Sequence, residues 1–116
     1  FLINDYCLKN KKILISGAIS KFDGQVYTFN FTKENSPCLR CFMPKAPIEA
    51  QSCDSEGIMS TLAGIAGSLQ ANEVIKSILK IGKPLFGEIM VFNALDLNFR
   101  KVKLKRDSNC KNHMYV

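Results

Sequence analysis

The rhythm of apolar and polar residues changes several times along the chain, and each rhythm predicts a different element. Residues 12–20, KILISGAIS, hold the β-branched run Ile13-Leu14-Ile15 before Gly17, the pattern of a strand buried on both faces, of the parallel-sheet kind. Asp23-Gly24 then signals a turn. Over 25–31, Tyr27, Phe29 and Phe31 alternate with Val26, Thr28 and Asn30, a period-two strand. Between 57 and 84 the spacing becomes helical: Leu62, Ile65, Ala66, Leu69, Val74, Ile78 and Leu79 form one stripe. Lys76 and Lys80 suit the negative end of that helix, and Gly82 with Pro84 supplies its stop. Ala63, Gly64, Ala66, Gly67 and Ser68 are small. Each helical glycine costs about 1 kcal/mol relative to alanine, so close approach of another backbone is expected to offset it.

Two further strands are expected at 89–95 and 99–105. Leu97 and Phe99 share one parity and Val102 and Leu104 the other, which predicts a β-bulge near Arg100. At the start, residues 1–10 read as the last turns of a helix. Leu2, Ile3, Tyr6 and Cys7 lie near one face, Asn10 is the stop, and Cys7 is expected to be a small buried apolar group. Residues 32–57 lack periodicity and contain Pro37, Pro44, Pro47 and three cysteines. A loop of that length in a small domain is usually functional or tied down.

With 116 residues, 47% of them apolar, the chain is the size of one small domain with a modest core. A structural metal would help such a domain. The net charge of +6 would suit an acidic partner. Thirteen of the sixteen basic residues are lysines and they are scattered, so they read as solvated edges rather than a nucleic-acid surface. The most apolar run, 57–71, contains Ser60, Thr61, Ser68 and Gln70, and is too short and too polar to span a bilayer. No secretory pattern is visible, and a reducing, cytoplasmic setting is the expectation.

Cysteine spacing carries the chemistry. Cys38 and Cys41 form a C-x-x-C; Cys110 and His113, the only histidine, form a C-x-x-H, with sixty-eight residues between Cys41 and Cys110. Zinc takes four thiolate or imidazole donors in a tetrahedron, and two short turns supply them well. The expectation is a closed, structural zinc site of Cys38, Cys41, Cys110 and His113 that clips the tail to the central loop, with the Arg40 charge favouring thiolates. Two other readings stand beside it: reduced cysteines with a solvated tail histidine, and a redox C-x-x-C, against which Pro44 and Pro47 argue because such a motif usually opens a helix.

The order of motifs, IND at 3–5, ISKFDGQV at 19–26, PCLRC at 37–41, the SC and SEG of residues 52–57, GIAGSLQANEVIK at 64–76 and ALDLNFRKVKLKRD at 94–107, then the C-x-x-H, resembles the C-terminal half of the ubiquitin-activating-enzyme-like superfamily. Within it the HesA/MoeB/ThiF family is the nearest branch. The resemblance implies the C-terminal part of that α/β fold: a mixed, mostly antiparallel sheet with one long crossover helix and a zinc-clipped tail, residues 1–116 forming a single domain. The strand at 12–19 would then be the last parallel strand of a nucleotide-binding half. Family members use ATP and Mg2+ to adenylate the C-terminal glycine of a ubiquitin-like sulfur-carrier protein, in molybdenum-cofactor or thiamine biosynthesis, usually as homodimers with a structural zinc. The family usually has cysteine where His113 stands. Cys53 matches a family cysteine that in some members links covalently to the carrier, and is the single catalytic candidate.

No G-x-G-x-x-G phosphate loop occurs in these residues, and Gly64 and Gly67 lie inside a helix. Without phosphate donors and a metal carboxylate, nothing here would stabilise an adenylyl-transfer transition state. Three readings follow: a fragment of an adenylyltransferase, one half of a split enzyme acting with an N-terminal partner, or a zinc-stabilised binding and dimerisation module. A half-fold of this kind should expose an apolar sheet edge and helix face, and a dimer with the small-residue helix near its interface is expected.

Overall fold

The computed structural model describes residues 1–46 and 57–114. Four strands, β1 (Ile13–Ser20), β2 (Asp23–Asn30), β3 (Glu88–Asn93) and β4 (Asn98–Lys103), form one sheet in the order β1-β2-β3-β4, every neighbouring pair antiparallel. Helix α1 (Leu2–Lys9) precedes the sheet, a single helical turn α2 (Leu39–Phe42) follows β2, and the long helix α3 (Thr61–Leu79) precedes β3. The excursion from β2 through α3 to β3 leaves and re-enters at the same end of the sheet, as antiparallel neighbours allow. It is stitched down at Lys21↔Ile58 and Thr28↔Phe86. Among the described residues no helix is long and apolar enough to cross a membrane.

Strand alternation divides the core in two. On one face Val26 and Phe92 pack with Leu62, Ala66 and Leu85 under α3. On the other, Tyr27, Phe29, Phe31 and Ile89 pack with Leu8, Cys38 and Cys110. The apolar period of β2 thus builds the layer in which the cysteines sit.

Several expectations are corrected. Strand β1 is not buried on both faces: it pairs only with β2, antiparallel, at the edge of the described sheet, and its residues are half-buried or exposed. The first hairpin turns at Lys21-Phe22, with Lys21 at φ 47, not at Asp23-Gly24. Gly24 is instead a strand residue facing Phe92, where a Cβ would lie 2.1 Å from the ring. No bulge occurs at Arg100: β3 and β4 pair in unbroken register from Glu88↔Lys103 to Asn93↔Asn98. Leu97 belongs to the turn, at φ 50. Phe99 then lies opposite Phe92 on the α3 face and Val102 opposite Ile89 on the other, so parity changes because both faces carry apolar side chains.

Helix α3 follows its expected stripe only in its first half. Leu62 and Ala66 are buried, but further along the buried residue is Glu73, while Val74, Ile78 and Leu79 are exposed. Nothing lies within 4 Å of a Cβ placed on Gly64 or Gly67, so the close approach expected there is not made within the described residues. In α1, Leu2, Ile3 and Tyr6 are exposed, Asn4 and Leu8 are the buried residues, and Cys7 is half-buried against the core.

Candidate metal centre

Two matching turns make the site. In the first, Cys38 precedes α2, Cys41 N–H donates to Cys38 O at 3.0 Å, and Cys38 N–H points at Cys41 Sγ at 3.4 Å. In the second, a 3-10 turn at Lys111–His113 lets His113 N–H donate to Cys110 O at 3.1 Å. Pro44 stops α2 after Phe42, so each turn presents its first and fourth residue to the same side.

The four side chains converge. Their ligating atoms all lie within 4.8 Å of one another. Cys38 Sγ is 3.8 Å from Cys41 Sγ and 3.9 Å from Cys110 Sγ; Cys41 Sγ is 3.3 Å from His113 Nε2. A tetrahedron with bonds of ~2.3 Å to sulfur and ~2.0 Å to nitrogen has edges of roughly 3.8 Å between sulfurs and roughly 3.5 Å between sulfur and nitrogen. The spacing therefore fits a metal ion at the centre, and three soft donors with one imidazole suit zinc. The four cysteines described are free thiols.

Electrostatics point the same way. Burial pushes the Cys38 thiol up to about 12, and the neighbouring Cys41 and Cys110 add to the rise. Clustered thiolates in an apolar layer need a cation, and a bound cation reverses this effect. Burial, and then the Arg106 charge, lower the His113 pKa, which keeps the ring neutral as a ligand requires.

A second set of residues surrounds the ligands. Arg40 forms a two-pronged ion pair with Asp5, Nε at 2.9 Å and Nη2 at 2.8 Å, and after Asp5 the charges of Cys38 and Cys110 also help to hold its guanidinium protonated. Asn112 Nδ2 donates to the same carboxylate at 2.9 Å, and Asn4 Oδ1 accepts Leu39 N–H at 2.9 Å. Sequence reasoning gave Asn4 and Asp5 no role in the site beyond their place in the IND motif at 3–5, and gave Asn112 none. Glu73 was missed too. It is buried, accepts from Thr28 Oγ1 at 2.9 Å and Leu85 N–H at 2.7 Å, and pairs with Lys76. The catalytic candidate Cys53 lies outside the described residues.

The antiparallel sheet with a long helix on one face is a fold shared with solved structures. It superposes on Escherichia coli MccB, solved with MccA-N7isoASN, with a TM-score of 0.77 at 17% identity, covering 96% of this chain and 36% of that one. The heterocyclase TruD gives 0.75 at 15% identity, covering 96% and 20%. In sequence, the ThiF family model matches residues 1–112, and the chain belongs to the ThiF family. A sulfur carrier protein adenylyltransferase of Thermus thermophilus is 40% identical over 115 residues, covering 95% of this chain and 42% of that protein. A molybdopterin-synthase adenylyltransferase of Salmonella typhimurium is 39% identical over 109 residues, covering 94% and 43%. The chain thus spans less than half the length of these relatives.

Proposed function

We propose that this chain is the C-terminal portion of an ATP-dependent adenylyltransferase that activates the C-terminal glycine of a ubiquitin-like sulfur-carrier protein, of molybdopterin or thiamine type. The observation that carries this reading is the identity of 40% with a sulfur carrier protein adenylyltransferase across nearly the whole chain. ATP and Mg2+ are assigned to a nucleotide-binding half outside these residues, because these residues hold no phosphate loop. The chain alone is therefore inactive in adenylation.

In this reading Cys38, Cys41, Cys110 and His113 hold a structural zinc. When bound, that ion neutralises the thiolates and joins the tail to the turn after β2. The ligand distances and the neutral imidazole support it. The enzyme is a homodimer, or pairs with an N-terminal half, in the cytoplasm. The exposed Ile75, Ile78 and Leu79 of α3, the open small-residue positions and the exposed Leu2, Ile3 and Tyr6 of α1 favour such an assembly. Cys53 is retained as the thiol that would meet the activated carrier.

The test is a chimera in which this chain replaces the matched segment of the Thermus thermophilus relative. Carrier-dependent ATP–pyrophosphate exchange by the chimera, with none by the chain alone, is expected. A folded, metal-loaded chimera without exchange would favour a binding and dimerisation module. Exchange by the chain alone would overturn the assignment of ATP to another half.

A further inference from the structure

Helix α1 meets the rest of the molecule through Leu8, the half-buried Cys7 and a set of polar groups. Of its apolar side chains only Leu8 is buried, and the other buried residue is Asn4. Two polar side chains of this helix, Asn4 and Asp5, reach the turns that carry the metal donors. Asn4 Oδ1 accepts the N–H of Leu39, and Asp5 grips Arg40; Leu39 and Arg40 are the two residues between Cys38 and Cys41. Asn112, between Cys110 and His113, donates to that same Asp5 carboxylate at 2.9 Å, and its Nδ2 lies 4.0 Å from Cys38 Sγ. The Arg40 guanidinium also stacks over the Phe1 ring at 4.6 Å. One carboxylate on α1 therefore spans the two turns from outside the ligand set.

We propose, resting on the reading of the cluster as a zinc site, that Asp5 is a positioning residue of that site, and that docking of α1 and retention of the metal are one coupled equilibrium. Each turn contributes two donors, and the turns come from segments far apart in the chain. Four-fold coordination needs the turns at a fixed separation, and the Arg40–Asp5–Asn112 bridge sets it. Partners outside the ligand set commonly alter metal affinity by about 10–100-fold. Coupling is reciprocal, so the metal also holds α1 down. The simpler description is an ordinary surface ion pair, since the two side chains are 31% and 34% exposed. Such pairs contribute little, and a pair of that kind would leave metal retention unaltered.

The two descriptions separate in the rate at which a chromogenic chelator strips zinc from the metal-loaded protein. Asp5→Asn is expected to release zinc about 10–100-fold faster than wild type, Asn112→Ala faster by a smaller factor, and Leu2→Ala, on the exposed side of α1, at the wild-type rate. Amide hydrogen exchange adds a second readout. The α1 amides should lose protection alike in Asp5→Asn and in chelator-stripped wild type, while those of β2 and β3 keep theirs. Wild-type release by Asp5→Asn overturns the tether. Should that variant not fold, wild-type release by Asn112→Ala overturns it instead. Wild-type protein that takes up no zinc would overturn the zinc reading and the tether together; zinc in wild type with unaltered release in both variants overturns the tether alone.

Discussion

Cys38 Sγ and Cys110 Sγ lie 3.9 Å apart, although 72 positions separate them in the chain. Both are buried among Phe29, Phe31 and Leu8, so the thiols close one side of the core. A cation here would tie the segment after β2 to the tail. Cys38→Ser should therefore abolish stoichiometric zinc in elemental analysis. It should also cost several kcal/mol, a fall in Tm of at least about 10 °C for a chain of this size. An unchanged melt with unchanged zinc would contradict a structural role.

Asp5 provides a pH test. The hydrogen bond from Arg40 holds its carboxyl below the ordinary 3.8. Because the folded value is the lower one, the stabilisation is fully present above about pH 3.8 and is lost as the pH falls through the folded value. Carboxyl-carbon NMR should place the Asp5 midpoint below 3.8 and return it toward 3.8 in Arg40→Met. A wild-type midpoint at or above 3.8 would show that the ion pair does not form in solution.

Glu73 joins α3 to the sheet and to the start of β3 through Thr28 and Leu85 N–H. Glu73→Ala would leave a buried hydroxyl and a buried amide without their acceptor, at a cost of about 2–5 kcal/mol in urea denaturation. A loss within about 0.5 kcal/mol would mean that water replaces the carboxylate without penalty.

Two glycines should respond in opposite directions. A Cβ at Gly24 meets the ring of Phe92, itself 1% exposed and unable to move aside easily. Gly24→Ala should destabilise by about 1–3 kcal/mol. At Gly67 the Cβ meets open space, so Gly67→Ala should stabilise the monomeric chain by about 0.5–1 kcal/mol through helix propensity. A loss for Gly67→Ala, with dissociation of a dimer in sedimentation, would place another backbone against α3.

Much of this structure was legible in the pattern of side chains. The alternation of Tyr27, Phe29 and Phe31 located β2 and its buried face, and the spacing of Leu62 and Ala66 located α3. The two spaced pairs identified the four side chains that converge, because short turns bring donors three apart to one side. What escaped was set by contacts between distant segments. Asp23-Gly24 has turn composition, yet Gly24 is required under Phe92 from β3. The stripe of α3 runs on to Leu79, but its last buried residue is Glu73, held to Thr28 of β2, and Ile78 and Leu79 stay exposed. In α1, apolar Leu2 and Ile3 face outward while Asn4 is buried, because an amide that finds the Leu39 N–H can be buried at little cost.

X-ray absorption at the zinc edge of the purified protein addresses the metal centre most directly. One zinc per chain with three sulfurs at about 2.3 Å and one nitrogen at about 2.0–2.1 Å is the predicted first coordination sphere. Protein that folds without metal, or an ion whose sphere has a fourth sulfur or a water oxygen in place of the His113 nitrogen, would contradict the four-residue clip.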